Sequence, residues 1–435
     1  MKSVLLLDIS RLIWRARRRG PTGIDRVELA YAQHFITARG ARRAYAVLHL
    51  FGFLIALTPA GGRRFVDELA ARWDGSRPNT PAGDLAAVGK IYLRLFTSGW
   101  FFGPWLRREL RACPGSPTFL VVSHHHVARD YAIDRIRRSL GVKTACLIHD
   151  LIPIDYPEYF KPGWEQRYRR LSSNIGRLFD AVIANSEATA RSVRTCLQAE
   201  PGEPLSRVAL RVAPLGVRAF PWPRSVPRAV PPGSPYFVVL GTIEPRKNHL
   251  LLLNLWARLA ATAPAPPRLL VIGARGWENE QVVDMLERSR RLRGLVEEHN
   301  GLSDAEVGAL LRASQALLLP SFAEGFGLPL AEAFASGVPA ICSDIPPFRE
   351  VGRHVPEYLD PLDLHAWLDA VLEYSRPDSI RRVAQLRRLA QWPAPQWVDH
   401  FATVEQLLGS LETCHPAAMS QGTHQPFWGR ARVSK

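Results

Sequence analysis

Cysteine is scarce and scattered. The 435 residues hold five, Cys113, Cys146, Cys196, Cys342 and Cys414, with no Cys-x-x-Cys pair. An odd, dispersed set argues against a disulfide framework and a zinc cluster, and it suits a reducing compartment. Long apolar runs are missing too. The stretch from Ala44 to Ala60 is interrupted by His49 and Gly52 and meets Pro59, so it reads as core strands rather than a membrane span. The opening run Val4–Leu7 is cut short by Asp8 and Arg11. It reads as a buried first strand, and no secretory leader is expected. Lysine is nearly absent, standing only at 2, 90, 143, 161, 247 and 435. The basic charge is therefore almost all arginine, as in GC-rich coding. No zinc-finger spacing, RNP-type aromatic motif or long basic tract accompanies the net charge of +16. Nucleic acid is thus not an expected partner, and the charge points to other anions: nucleotide sugars or lipid phosphates.

What is present is an ordinary globular mix, 47% hydrophobic and 22% charged, in a chain long enough for two cores. Apolar strands alternate with amphipathic helices in two series. The first uses Val4–Leu7, Phe119–Val122, Thr144–Ile148 and Ala181–Ala184; the second uses Phe237–Leu240, Leu269–Ile272, Ala316–Leu319 and Val338–Ile341. Such alternation implies parallel sheets covered by helices. The expected fold class is α/β, with two doubly wound parallel-sheet domains facing a cleft. Its expected divisions are a first domain over 1–215, a linker over 216–235, a second domain over 236–385, a helical segment over 386–412 and a disordered tail over 413–435.

The most informative stretch is Pro320-Ser-Phe-Ala-Glu-Gly-Phe-Gly-Leu-Pro-Leu-Ala-Glu-Ala333. A strand ends, a glycine-rich loop carries Glu324, Gly325, Phe326, Gly327 and Leu328, and a short helix holds Glu332. Free amides and the positive end of the helix dipole would face a ligand there. The amides suit a phosphate, and the two carboxylates suit sugar hydroxyls. A second turn, Gly241-Thr-Ile-Glu-Pro-Arg-Lys-Asn248, sets Arg246 and Lys247 between a strand and a helix. Lys247 is the only lysine between 161 and 435, which suggests that the position requires an ammonium. Two cations there would stabilise a departing diphosphate without a metal.

These motifs resemble the Glu-x7-Glu signature and the Arg-Lys turn of retaining, nucleotide-sugar-dependent glycosyltransferases with the GT-B fold, the large family 4 group. The resemblance spans nearly the whole chain, is strongest over 237–362 and is weak over 40–115; it implies an acceptor-side domain over 1–215, a nucleotide-sugar-binding domain over 236–385 and a C-terminal helix over 386–412 that crosses back to the first domain. It implies that Arg246 and Lys247 hold the donor diphosphate, Glu324 positions the donor sugar, Glu332 holds the ribose and Leu302 lies beside the base. Leu147-Ile-His-Asp-Leu-Ile-Pro153 resembles the His-Asp-x-x-Pro segment of bacterial members, in which His149 would reach the sugar across the cleft. Gly20-Pro-Thr-Gly-Ile-Asp-Arg26 resembles their Gly-Ile-x-Arg turn near the donor phosphate and acceptor, with Gly23 allowing close approach. Asn185-Ser186 matches a polar strand end of unspecified role. His124, His125 and His126 read as loop residues rather than a metal site.

The activity so implied is a hexosyl transfer, with GDP-mannose the preferred donor and a saccharide or lipid-linked saccharide as acceptor, in surface polysaccharide synthesis. No cofactor or metal is expected. The setting implied is cytoplasmic, at the inner face of the plasma membrane. The aromatic and arginine mixture of residues 90–111 also suggests docking on anionic membrane, with packing into a helix-pair core as the alternative. A GT-B nucleotide-sugar epimerase and a non-enzymatic basic binding protein are the rival readings.

Overall fold

The computed structural model describes residues 3–18, 20–38, 42–50, 53–73, 100–101, 103–113, 115–127, 130–199, 207–221 and 234–413. Residues 90–99 and 102, half of the 90–111 segment, fall outside them, as do residues 222–233 of the linker and the tail from 414; the rest of that segment forms a strand, Trp100–Phe101, and a helix, Gly103–Arg111.

Two sheets organise the chain. The first contains β1 (Val4–Asp8), β2 (Arg43–Leu50), β3 (Phe53–Leu57), β4 (Trp100–Phe101), β5 (Thr118–Val121), β6 (Lys143–Ile148), β7 (Ala181–Ala184) and β8 (Ala209–Val212), in the spatial order β4-β3-β2-β1-β5-β6-β7-β8. From β2 to β8 every pairing is parallel, whereas β3 and β4 add on antiparallel at one edge. The second contains β9 (Tyr236–Leu240), β10 (Arg268–Ile272), β11 (Val296–His299), β12 (Leu317–Leu319), β13 (Ala340–Ser343) and β14 (Glu357–Leu359), all parallel, in the order β11-β10-β9-β12-β13-β14. Central strands are buried on both faces because helices cover both. That is why β1, β5, β6, β7, β9 and β10 appear in the sequence as unbroken apolar runs.

The strand order reverses direction between β1 and β5 in one sheet, and between β9 and β12 in the other. Ligands of open α/β sheets bind beyond the carboxyl ends of the strands at such switch points. The loops leaving β9 and β12 carry Arg246, Lys247 and Glu324. Those leaving β1 and β5 carry Gly23 and His124.

The chain recrosses between the domains through two adjacent segments. Val217 N–H donates to the Pro395 carbonyl, and a Cβ on Gly216 would lie 2.3 Å from the Trp397 nitrogen. The crossing helix runs Trp397–Thr413 and packs on β5, β7 and β8. It starts later than the expected 386: the helix Ile380–Leu389 stays on the second domain, where Gln385 donates to the Ala340 carbonyl and Arg382 to that of Gln315. The turn between the two helices falls in the proline-bearing segment 390–396, and a proline removes the amide that a continuous helix needs. His400 fixes the crossing. Its Nδ1 faces the Ala213 and Pro214 carbonyls at 3.0 and 3.1 Å, so this nitrogen carries the proton and Nε2 accepts from the Tyr31 hydroxyl at 2.8 Å.

Candidate active site

The loops after β9 and β12 are tied together before any ligand is considered. Phe322 N–H donates to the Arg246 carbonyl, and Arg246 Nη1 donates to the Ala323 carbonyl at 2.8 Å. Around that scaffold the Glu324 carboxylate collects three donors: Arg246 Nη1 at 2.9 Å, Ser321 Oγ at 2.8 Å, and Lys247 Nζ. Glu244 pairs with Arg246 Nε at 2.6 Å. All four charged side chains are largely buried. Burial alone would raise the Glu324 carboxyl, but Lys247 and Arg246 bring it down to about 2. Burial lowers the Lys247 ammonium and raises the Glu244 and Asp150 carboxyls. The cluster is a dense, nearly compensated set of charges.

Two glycines shape the loop. Gly327 sits at φ 96°, and a Cβ there would meet the Phe348 ring at 2.9 Å. A Cβ on Gly325 would lie 2.2 Å from the His149 carbonyl oxygen, so the loop touches the first domain at a place where no other residue fits. The helix Leu328–Ala335 follows, with Pro329 in its first turn and Gly337 at φ 76° just beyond its end. The amides of Gly325, Phe326 and Gly327 donate to no described backbone carbonyl. Phe326 itself is buried in the core, and Leu328 contacts the first domain at Gly23, where a Cβ would lie 3.2 Å from Leu328 Cδ1.

Residues that the sequence left without a role complete the contact. Asn185 Nδ2 donates to the His149 carbonyl at 2.9 Å, while Ser186 Oγ donates across the cleft to the Gly325 carbonyl at 2.6 Å. Thr189 Oγ1 reaches both carbonyls. Glu350 of the second domain accepts from the amides of Glu187 and Ala188, capping a helix of the first domain. Only the polar pair Asn185-Ser186 was visible in the sequence as a signal; Thr189 and Glu350 sit on unremarkable helical surfaces.

His149 is placed differently from its expected reach across the cleft. Its ring is buried and tied within its own domain: Nε2 donates to the Val122 carbonyl at 2.8 Å, leaving Nδ1 as the acceptor. His149 N–H donates to Nε2 of His124 at 2.8 Å. His124 therefore lies in the short helix His124–Val127 as a support for His149; the side chains of His125 and His126 are outside the described residues. Burial pushes both described imidazoles down to about 3, so both are neutral at physiological pH.

Arg26, from the Gly-Ile-x-Arg turn, does not join Arg246 and Lys247. It forks onto the Asp304 carboxylate of the second domain, with Nη2 2.7 Å from Oδ1 and Nη1 also bonded, and its Nε stands 3.6 Å from Glu332. Burial, opposed by Arg26 and reinforced by Asp304, sets the Glu332 carboxyl at about 7. Leu302 packs at the core's margin, one residue before Ser303 caps the helix Asp304–Ala313. Arg26, Asp304, Glu332 and Leu328 lie on the wall of a cavity of about 930 Å³ that extends back to the interdomain segment at Phe220.

Comparison with known proteins bears on the family and the fold. Residues 225–359 match the family described as "Glycosyl transferases group 1", and residues 54–209 match "Glycosyltransferase Family 4". The O-antigen chain mannosyltransferase B of Escherichia coli is 35% identical over 162 residues, 37% of this chain and 42% of that protein. The serotype-specific mannosyltransferase WbdA of Escherichia coli is 26% identical over 65% of this chain and 35% of its own length. The matched segments thus span less than half of these relatives. Among solved structures, Anabaena HepE in complex with UDP and glucose aligns over 94% of this chain and 100% of that one, with a TM-score of 0.60 at 15% identity. A sucrose-phosphate synthase of Thermosynechococcus elongatus aligns over 94% and 99%, also with a TM-score of 0.60 and 15% identity. At that identity the likeness shows the fold, which is GT-B.

Proposed function

The chain belongs to the GT-B glycosyltransferases of the family 4 type, and we infer that it moves a hexose, with retention of anomeric configuration, from a nucleoside diphosphate sugar to a saccharide or lipid-linked saccharide. The observation that carries this reading is the Glu324–Arg246–Lys247 cluster at the switch point of the second sheet, one helix start away from Glu332. The donor diphosphate takes the two cations, which stabilise the negative charge that develops as the bond from the anomeric carbon to the phosphate oxygen breaks. Glu324, released from Lys247, accepts from hydroxyls of the sugar. The acceptor oxygen bonds to the anomeric carbon from the face the phosphate leaves, and the acceptor's proton passes to the departing phosphate oxygen. Asn185 and Thr189 hold the His149 carbonyl against the Gly325 loop and so fix the closed arrangement.

GDP-mannose is the preferred donor and surface polysaccharide the preferred product, a choice supported by the mannosyltransferases of O-antigen chains among the relatives. The working site proposed is the cytoplasmic face of a membrane bearing a lipid-linked acceptor. Charge supports it: residues 1–215 carry 33 of the 56 lysines and arginines but only 18 of the 40 acids, so the acceptor-side domain holds nearly all of the net +16. Trp14 stands 58% exposed on that domain with Arg17 over its ring. Among the described residues no helix is long and apolar enough to cross a membrane.

The test is incubation with a panel of nucleoside diphosphate sugars, with and without saccharide acceptors, followed by measurement of nucleoside diphosphate release and of product anomeric configuration. Acceptor-dependent release with retention is expected. Interconversion of sugars without an acceptor would identify an epimerase, and no turnover of any donor by folded protein would favour the non-enzymatic reading. Co-sedimentation with liposomes, rising with anionic lipid and falling with salt, tests the membrane proposal.

A further inference from the structure

Glu332 is an incomplete carboxylate. Its side chain is 13% exposed, yet among the described residues no hydrogen bond reaches either oxygen, and its one cationic neighbour is Arg26 at 3.6 Å. An ionised carboxylate offers about four lone-pair positions, and one left bare in a nearly dry wall is costly unless a ligand fills it. Arg26, by contrast, is fully engaged. Its fork is spent on Asp304, and its guanidinium carbon stands 5.8 Å from the centroid of Phe220. The cation is thus clamped by one residue of the second domain and leans on another without bonding to it.

We propose that Arg26 is a positioning residue for the donor's nucleoside: anchored on Asp304, it stands beside the Glu332 carboxylate without bonding to it, leaving both oxygens open to the paired 2′ and 3′ hydroxyls of the ribose. The inference rests on the assignment of Glu332 to the ribose. It adds a residue of the opposite domain to that subsite, so a nucleoside is held well only when the two domains are together. The charged groups facing Glu332 are few. Arg26 approaches from the helix Gly23–Ala32 with Asp25 behind it, and Asp304 comes from the helix Asp304–Ala313. Without Arg26, burial and Asp304 both act to protonate Glu332. With Arg26 beside it the Glu332 carboxyl lies at about 7, so by pH 8 it is mostly ionised; without Arg26 the ribose would there meet a carboxyl group, a much weaker acceptor than a carboxylate.

The experiment measures binding of GDP and UDP, and of their 2′,3′-dideoxy forms, by calorimetry from pH 6 to 9. In the unaltered protein at pH 8, loss of the two hydroxyls should weaken binding of the better nucleotide by roughly tenfold to a hundredfold, the scale of hydrogen bonds to a charged group. In Arg26→Ala the penalty should shrink to within about threefold at pH 8 and begin to return towards pH 9 as Glu332 ionises. Arg26→Lys should retain part of it. Asp304→Asn frees Arg26 from its anchor to bond to Glu332 directly; with the carboxylate oxygens taken, the penalty should shrink at every pH, which serves if Arg26→Ala fails to fold. A full, pH-independent penalty in folded Arg26→Ala or Asp304→Asn overturns this inference alone. If the unaltered protein shows no dideoxy penalty and Glu332→Gln binds nucleotide normally, the ribose assignment fails and this inference fails with it.

Discussion

Replacing Glu324 by glutamine keeps the shape of the side chain and removes its charge. In the structure that charge is compensated by Lys247 and Arg246, both largely buried. The substitution leaves two cations sharing a neutral acceptor. Breaking a buried pair costs about 3–5 kcal/mol, and the retained hydrogen-bonding capacity places this case near the lower end. For a domain of this size about 3 kcal/mol corresponds to a fall in melting temperature of roughly 6–12 °C. The same change should strengthen binding of a nucleoside diphosphate. A phosphate charge roughly 6 Å from Glu324 is repelled by about 3 kcal/mol at an effective dielectric of about 20, and relief of half of that is already tenfold. The variant should therefore melt early, recover most of that loss in saturating GDP, bind GDP about tenfold more tightly, and lose transfer activity. Differential scanning fluorimetry and calorimetry, with and without GDP, make the comparison. An unchanged melting temperature together with equal or weaker GDP binding would refute the idea that Glu324 and the diphosphate exchange places on the same cations.

Further tests address the surroundings of that cluster. Lys247→Ala and Arg246→Ala should each lower turnover by roughly two to three orders of magnitude in steady-state assays of folded protein, the scale for losing a preorganised donor at a developing anion. Gly325→Ala places a methyl group 2.2 Å from the His149 carbonyl oxygen, so the two loops must part. A displacement of about 1 Å at the reacting atoms predicts a loss of turnover near a hundredfold with the fold retained, as judged by circular dichroism. EDTA should leave activity unchanged, because the cations and the helix start supply the charge that a metal would; restoration of a lost activity by magnesium or manganese would contradict this. The pH dependence of stability carries a definite sign. Burial raises the Glu28 carboxyl to about 8 and that of Glu332 to about 7, so between about pH 4.5 and 8 the folded chain holds protons that the unfolded chain has released. Stability from these groups falls as pH rises through that window, and in denaturant titrations Glu28→Gln should flatten the slope.

How much of this was legible in the sequence depended on how local the determining physics is. Central parallel strands announce themselves because both faces are buried, whereas β11, β14 and β8 did not. Val-Glu-Glu-His, Glu-Tyr-Leu and Ala-Leu-Arg-Val are outer strands with one neighbour each and only partial burial, so nothing in their composition demands a strand. The same distinction governs the site. Glu324, Arg246 and Lys247 could be found because each lies in a strand–loop–helix unit whose glycines and charges make chemical sense within eight residues. Arg26 pairs with Asp304, 278 positions away, and Ser186 meets Gly325 across 139. No short pattern encodes either contact, because each exists only where one domain's loops meet the other's. His149 shows the consequence. Its motif was readable, but its ring is held by the Val122 carbonyl and its backbone amide by His124, both from the neighbouring strand's end. The Glu324 cluster is therefore written into one domain's local sequence, while the geometry that brings the other domain to it arises only from folding. The residues that join the two, Arg26, Ser186, Thr189 and Glu350, are the ones at which substitution is expected to separate binding by a single domain from catalysis by the closed pair.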